Sequence, residues 1–386
     1  MRLRRRVFRP ISRHIAGLAC IAAILSVFPV ASVGLAQDYG QYKRPQVIAK
    51  RGNFFVGGTR NAKDQIVGQM YVEYAIPQTQ THTYPLVFVH GGGQIGVGWN
   101  ETPDGREGWA QYFLRKGYAV YVVDQPGRGR SPYNSQMGPL SDPGDSLTVR
   151  RLFAAPERYN IWPAAKFHTR WVGPAVDGDP TFDQFLASQA AAIDNTAQEP
   201  LTADALIALL EKIGPSILVP HSQPGFPAWL VADRRPDLLK ALVTIEPGGP
   251  PVVALKPLGT LNLPWGLTLN PLHYRPAVSD PSQLKFVDTP IQGDPYVKSC
   301  LLQKEPARQL PRIAQVRILY LSSEAGYNTL WDPCTTRYLT QAGVKFTWTR
   351  LQDIGIRGNS HFMFIEKNSD QVAGVVLDWL QKNVKD

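Results

Sequence analysis

The sequence predicts an α/β protein, with a mostly parallel central sheet, helices on both faces and two irregular insertions. Three features point there. Short apolar, β-rich runs alternate with stretches of helical periodicity. Several of those runs stop abruptly at glycine or proline, as buried strands do where they leave a sheet. The chain closes on an amphipathic stretch from Gln371 to Val384 that suits a helix laid against one face.

Residues 37–60 are polar and end in Gly57-Gly58, with a strand or two expected around Val47–Val56. Gln69 to Ile76 alternates and is rich in β-formers, and Pro85 to His90 is a short apolar run ending in Gly91-Gly92-Gly93. Trp109 to Lys116 carries a helical pattern closed by Gly117. Ala119 to Asp124 is a further buried strand, running into Gln125-Pro126-Gly127-Arg128-Gly129-Arg130-Ser131. Strand, helix and strand at this spacing imply parallel pairing with a crossover helix.

The rhythm breaks over about 132–180, which is rich in Pro, Gly and aromatics. So long a stretch without periodicity inside a compact domain reads as an insertion lying over the sheet. A helix follows over Thr202 to Ile213, with Thr202 expected as its N-cap, then a strand over Ser216 to Pro220, a helix to about Arg235 and a strand over Ala241 to Ile245. A second Pro-rich insertion fills 247–311. Val316 to Leu321 and Lys345 to Leu351 supply the last strands, with Cys334 to Ala342 helical between them.

A length of 386 residues with 44% hydrophobic and 19% charged residues is ordinary globular usage and excludes a disordered chain. The net charge of +10 suggests nucleic acid until its location is considered. Arg2, Arg4, Arg5, Arg6, Arg9 and Arg13 precede an apolar run from Ile15 to Ala36, without one acidic residue. This pattern predicts a secretory signal peptide over residues 1–36, leaving a domain over 37–386. Removing those six from the 41 basic residues leaves 35 against 31 acidic ones, a net +4, so a nucleic-acid partner loses its main support. An uncleaved anchor helix is the competing reading, and Arg5-Arg6-Val7-Phe8 also resembles a twin-arginine signal. Each places the body outside the cytoplasm, periplasmic or secreted. Nothing after residue 36 is apolar for long enough to span a bilayer. Of Cys20, Cys300 and Cys334, the last two remain as an even pair in oxidising surroundings and are expected to be bridged, against the alternative of two buried thiols. No Cys or His spacing reads as a zinc site.

Ser222, in Val219-Pro220-His221-Ser222-Gln223-Pro224-Gly225, stands at the join of a buried strand and a helix. A serine there is lifted out of the sheet on a strained turn, with the next amide aimed the same way. The usual pattern is GxSxG. Here prolines occupy both glycine positions and Gly225 comes one place late, so a serine that merely caps the helix remains open. His90-Gly91-Gly92-Gly93 could bring backbone N–H groups to a developing oxyanion. A P-loop would need a Lys and Ser/Thr that Gln94-Ile95-Gly96 does not supply. His361 alone among the seven histidines follows the last strand, in the polar loop Arg357-Gly358-Asn359-Ser360-His361-Phe362, where a general base can reach the serine. For the acid, Glu246, Glu324 and Asp332 all follow strand ends and stay open on residue grounds.

These segments together resemble the α/β-hydrolase carboxylesterases, and within them the exported bacterial esterase group that includes the sulfonylurea-herbicide de-esterifying enzymes. The likeness runs through Gln69-Met70-Tyr71-Val72, Pro85-Leu86-Val87-Phe88, His90 to Gly93, Thr102-Pro103-Asp104-Gly105-Arg106, Asp124 to Arg130, His221-Ser222, Glu246-Pro247 and Arg357-Gly358-Asn359 ahead of His361-Phe362. It fades in the two insertions. The resemblance implies the α/β-hydrolase fold, a glutamate acid at Glu246 and no cofactor or metal. On it, Ser222 is the nucleophile and His361 the base, and the amides of Gln223, Gly92 and Gly93 form the oxyanion hole. Pro247 is expected to hold the Glu246 backbone extended. The expected substrate is a small-molecule ester of moderately apolar or aromatic character, because the insertions offer Trp162, Trp171 and Trp265 without a cluster of charge. A lactonase, amidase or perhydrolase on the same triad, or a binding protein on a hydrolase fold, remains the alternative, and a homodimer stays open as the assembly.

Overall fold

The structure is a computed structural model that describes residues 45–249, 253–255 and 259–385. The leader expected over residues 1–36 lies outside the described residues. The strands are β1 Ile48–Arg60, β2 Ile66–Pro77, β3 Leu86–Val89, β4 Val120–Asp124, β5 Ser216–Pro220, β6 Leu239–Ile245, β7 Val253–Leu255, β8 Gly259–Leu261, β9 Phe286–Pro290, β10 Ser299–Gln303, β11 Ile318–Ser322 and β12 Thr347–Arg350. Eight of them form one sheet in the order β1-β2-β4-β3-β5-β6-β11-β12. Pairing is antiparallel from β1 to β2 and from β2 to β4, and parallel from β4 onward.

Nine helices accompany the strands among the described residues: α1 Val97–Asn100, α2 Trp109–Arg115, α3 Ser146–Val149, α4 Pro156–Tyr159, α5 Pro180–Ala187, α6 Asn195–Ile213, α7 Gly225–Arg234, α8 Asp332–Gln341 and α9 Ser369–Asn383. The two-residue period of the strands divides their side chains between two cores. Val87, Val89, Leu218 and Leu242 pack with α6, α7 and α8. Leu86, Phe88, Ile217, Val219 and Val243 pack with α2 and α9. The central strands β3 and β5 are buried along their whole length, which is why they read as continuous apolar runs. Each such Val, Leu or Phe contributes roughly 1.5–3 kcal/mol by leaving water.

Two local expectations need correction. Helix α6 starts at Asn195, not near Thr202, because the Asp194 carboxylate accepts the Thr196 N–H (2.8 Å) and the helix carries Pro200 inside it. Thr202 is instead a buried tie: its hydroxyl accepts from Gln198 Nε2 (2.9 Å) and donates to Gln125 Oε1 (3.2 Å). Helix α5 was not anticipated, although Asp179 as N-cap and Pro180 in the first turn are its ordinary start signals. The 247–311 stretch contains two antiparallel hairpins, β7 with β8 and β9 with β10.

Cys300 on β10 and Cys334 on α8 are joined as a disulfide, which discards the two-thiol alternative and ties the second hairpin to the helix after β11. A cross-link across 34 positions restricts the unfolded chain by roughly 3–4 kcal/mol in the chain-entropy account. Reduction, or paired Cys300→Ser and Cys334→Ser replacement, is therefore expected to lower the urea midpoint, with a matching loss in the unfolding free energy extrapolated to water. A midpoint indifferent to reductant would contradict this.

Candidate active site

The serine sits where β5 turns into α7. Its neighbours hold it from both sides: His221 N–H donates to Val89 O on β3 (3.1 Å) and Ser222 N–H to Ile245 O on β6 (2.9 Å). Between these anchors the chain reverses, and Ser222 takes φ 66°, a left-handed conformation that is costly for a residue with a Cβ. Gly225 opens α7 against Pro247: a Cβ there would come within 2.6 Å of the Pro247 Cβ. The small residue is needed where the helix start meets Pro247, which explains its position three after the serine.

Glu246 directly follows β6 and His361 lies in the loop before α9. They meet 115 residues apart in sequence, with His361 Nδ1 2.7 Å from Glu246 Oε2. The other carboxylate oxygen accepts from the Ser323 N–H (2.7 Å) and from its hydroxyl. Both side chains are buried. Burial lowers the His361 pKa to about 3, which keeps the imidazole neutral. Burial likewise pushes Glu246 up, to about 7, against the pull of the two Ser323 hydrogen bonds. The expectation that Pro247 holds Glu246 extended is overturned. Glu246 has φ 42°, because its amide is fixed to Leu321 O on β11 (3.0 Å) while its carboxylate must turn back to Ser323 and His361.

The other two carboxylates are engaged elsewhere. Glu324 takes Arg357 Nη1 (2.7 Å) and the Gly358 N–H (2.8 Å). Asp332 is buried under Tyr320 OH (2.7 Å) and Ser322 Oγ (2.6 Å), and its pKa stands well above the usual carboxylate range through burial and the nearby Glu246 charge.

The glycine loop lies against the serine: a Cβ on Gly91 would sit 3.3 Å from the Ser222 Cβ. Three donors hold the Gly91 carbonyl. They are the Gln94 N–H (3.3 Å), Arg128 Nη1 (3.0 Å) and His90 Nδ1 (3.0 Å). His90 must carry its proton on Nδ1, since Nε2 accepts from the Gln125 N–H (2.9 Å). A planar trans peptide points its C=O and N–H in opposite directions, so anchoring this carbonyl aims the Gly92 amide the other way. Among the described residues the amides of Gly92, Gly93 and Gln223 donate to no acceptor, which leaves them available to one that arrives.

Some of the surroundings were not legible. Tyr327 places its hydroxyl 2.7 Å from His361 Nε2, and Phe153 lies nearly parallel to the imidazole at 5.8 Å. No sequence pattern marked either residue. Trp162 is buried beside Tyr327, edge-on at 5.9 Å, and Trp171 packs on Phe185. Trp265 belongs instead to the core under α6 and α7, so it does not stand with the other two. A cavity of about 650 Å³ opens between β2, β4, α1 and α2. Gln94 and Phe362, neighbours of the glycine loop and of His361, line it, whereas Ser222, Glu246 and His361 do not.

A family model for the alpha/beta hydrolase fold matches residues 84–273, which include the glycine loop and the serine elbow. The chain is 40% identical over 315 residues, 81% of its length, to phiG, a probable secreted lipase of Fungal sp. (strain ATCC 74256), of which it covers 86%. The chain belongs to the α/β-hydrolase family. It is also similar to a solved structure described as the atomic resolution structure of a novel bacterial esterase, with TM-score 0.57 and 26% identity over 89% of this chain and 98% of that one. The family places this protein among enzymes of the hydrolase class.

In this hydrolase another buried histidine braces the loop that carries His361. His168 reaches Glu157 Oε2 through Nδ1 (3.0 Å) and Glu366 Oε1 through Nε2 (2.9 Å). Glu366 also takes the Ser360 N–H (3.1 Å) and Asn359 Nδ2 (2.7 Å), the two residues ahead of His361. Burial alone would lower the His168 pKa, but the hydrogen bonds to both carboxylates outweigh it and hold it up at about 9. A folded-state pKa above the unfolded 6.5 stabilises fully below pH 6.5 and is lost as pH rises through about 9. We therefore expect on the order of 3 kcal/mol of stability to disappear over that window. In His168→Gln, thermal unfolding measured across the window should lose this slope. An unchanged slope would assign it elsewhere.

Proposed function

We propose that the protein is an exported serine carboxylesterase acting on moderately apolar or aromatic esters through an acyl-enzyme. The observation that carries this reading is the buried His361–Glu246 pair at 2.7 Å beside a serine held at φ 66°. Ser222 Oγ attacks the ester carbonyl, and His361 takes up the proton and returns it to the departing alcohol. Glu246 holds the Nδ1–H tautomer and balances the imidazolium. The amides of Gly92 and Gln223, with Gly93 as a further donor, receive the oxyanion, each such donor lowering the barrier by roughly 3 kcal/mol. We read the segments 132–180 and 247–311 as insertions of one domain, the second of them packing its apolar side chains into the core against α6, α7 and α8.

The ester class is supported by the lipase and esterase descriptions of the two relatives. Membership of the exported esterase group that includes sulfonylurea-herbicide de-esterifying enzymes rests on the matching motifs and on the bacterial esterase likeness. Export is supported by the secreted description of the fungal relative and by the disulfide, a bond that persists in oxidising compartments.

The test is a panel of p-nitrophenyl esters of rising chain length, aryl esters, lactones and anilides offered to the purified protein, with fluorophosphonate labelling alongside. Ester turnover with a burst of alcohol, and labelling that disappears in Ser222→Ala, is the expected outcome. Fastest turnover of lactones or anilides would move the substrate class. Absence of both turnover and labelling would leave a binding protein on a hydrolase fold.

A further inference from the structure

The base nitrogen of the triad is already occupied. His361 Nδ1 is committed to Glu246, so Nε2 is the atom that must take up a proton, and the group bonded to it is the Tyr327 hydroxyl at 2.7 Å. Among the described residues the Ser222 hydroxyl makes no hydrogen bond of its own to His361, and Ser222 is near enough to the Tyr327 hydroxyl to draw its pKa down. A group that can both donate and accept thus stands at the nitrogen where the serine proton has to arrive. Tyr327 is fixed there by ring contacts to Trp331 (5.3 Å), Trp162 (5.9 Å) and Phe153 (6.2 Å).

We propose that Tyr327 is a fourth catalytic residue, which relays the proton between Ser222 and His361. The inference rests on the serine-hydrolase reading above. In the attack step the Ser222 oxygen bonds to the ester carbon and the carbonyl π pair moves onto oxygen. The serine proton passes to the phenol oxygen, and the phenol's own proton passes to His361 Nε2. In the collapse step the oxyanion pair re-forms the carbonyl π bond, the C–O bond to the leaving group breaks and its electron pair goes to the departing alkoxide. The Nε2 proton then returns to the phenol oxygen as the phenol gives its proton to the alkoxide. Tyrosine is neutral before and after both steps. Burial, reinforced by the Glu246 and Asp332 charges, raises the Tyr327 pKa although the nearby Ser222 side chain pulls it down, so a standing phenolate is disfavoured.

Tyr327→Phe removes the hydroxyl and keeps the ring. If the relay operates, kcat/KM for the preferred p-nitrophenyl ester falls by about 10², the low end for a lost proton-transfer group, and the rate of fluorophosphonate labelling at Ser222 falls with it. In mixtures of light and heavy water the wild-type rate should vary non-linearly with deuterium fraction, as two protons in flight require, and the Phe variant linearly. The wild-type measurement needs no variant and stands even if Tyr327→Phe folds poorly. A linear wild-type plot overturns the proposal. So does a Phe variant as fast as wild type or faster, which would make the hydroxyl a plug that substrate displaces. Should the wild type neither turn over esters nor take the probe, the serine-hydrolase reading itself fails, and the two failures are thereby distinguished.

Discussion

Ser222→Ala is expected to lower kcat for the best ester by about 10⁶, and adding His361→Ala to the same chain should cost almost nothing more. The reason is geometric. His361 Nδ1 is held by Glu246 at 2.7 Å, so in the proposed mechanism the imidazole's remaining task is to handle the proton of the serine. Once that proton donor is absent the base has no work, and the two losses cannot multiply. The amides of Gly92, Gly93 and Gln223, without an acceptor among the described residues, would still polarise a bound carbonyl, so residual turnover above the water rate should survive in both variants. Additive losses in the double variant would mean that the two residues do not act as a unit. A companion variant separates chemistry from strain. Ser222→Gly is equally inactive but should unfold at a higher temperature than Ser222→Ala, because φ 66° is penalised by a Cβ and not by glycine.

Glu246→Gln is expected to lower kcat by about 10³ to 10⁴, with KM little changed. The amide is nearly the same shape, but it neither balances an imidazolium nor reliably accepts from Nδ1–H, so the reactive tautomer is lost. Glu324→Gln and Asp332→Asn should each remain within about tenfold of wild type, since neither carboxylate contacts His361. Glu324 secures Arg357 and the Gly358 amide in the approach to the base loop, and Asp332 satisfies Tyr320 and Ser322 beneath Glu246. Steady-state kinetics on the three amide variants decide the matter: a loss confined to Glu324→Gln would make Glu246 a structural carboxylate.

The legible part of the molecule is the part with a local cause. Buried strands such as Leu86–Val89 and Ser216–Pro220 announce themselves because both faces are covered and every residue is apolar. The serine elbow and the glycine loop could be placed at strand ends because sharp reversals need particular residues. Even there, local rules misled in two places. The polar stretch and proline ahead of Thr202 hid the first turns of α6, and Pro247 suggested an extended Glu246 where tertiary hydrogen bonds impose φ 42°.

By itself, the sequence determined the strand and helix rhythm, the candidate serine and histidine, and a cysteine pair free to bridge. Only the tertiary structure decided which carboxylate meets the histidine, which hydroxyl occupies its other nitrogen and which charges brace its loop. Those partners lie 115, 34 and up to 198 residues apart, and at such separations no periodicity couples one residue to another. Their pairing follows from the parallel order β5-β6-β11, which sets three strand ends side by side and lets burial select the few polar groups that can satisfy one another there.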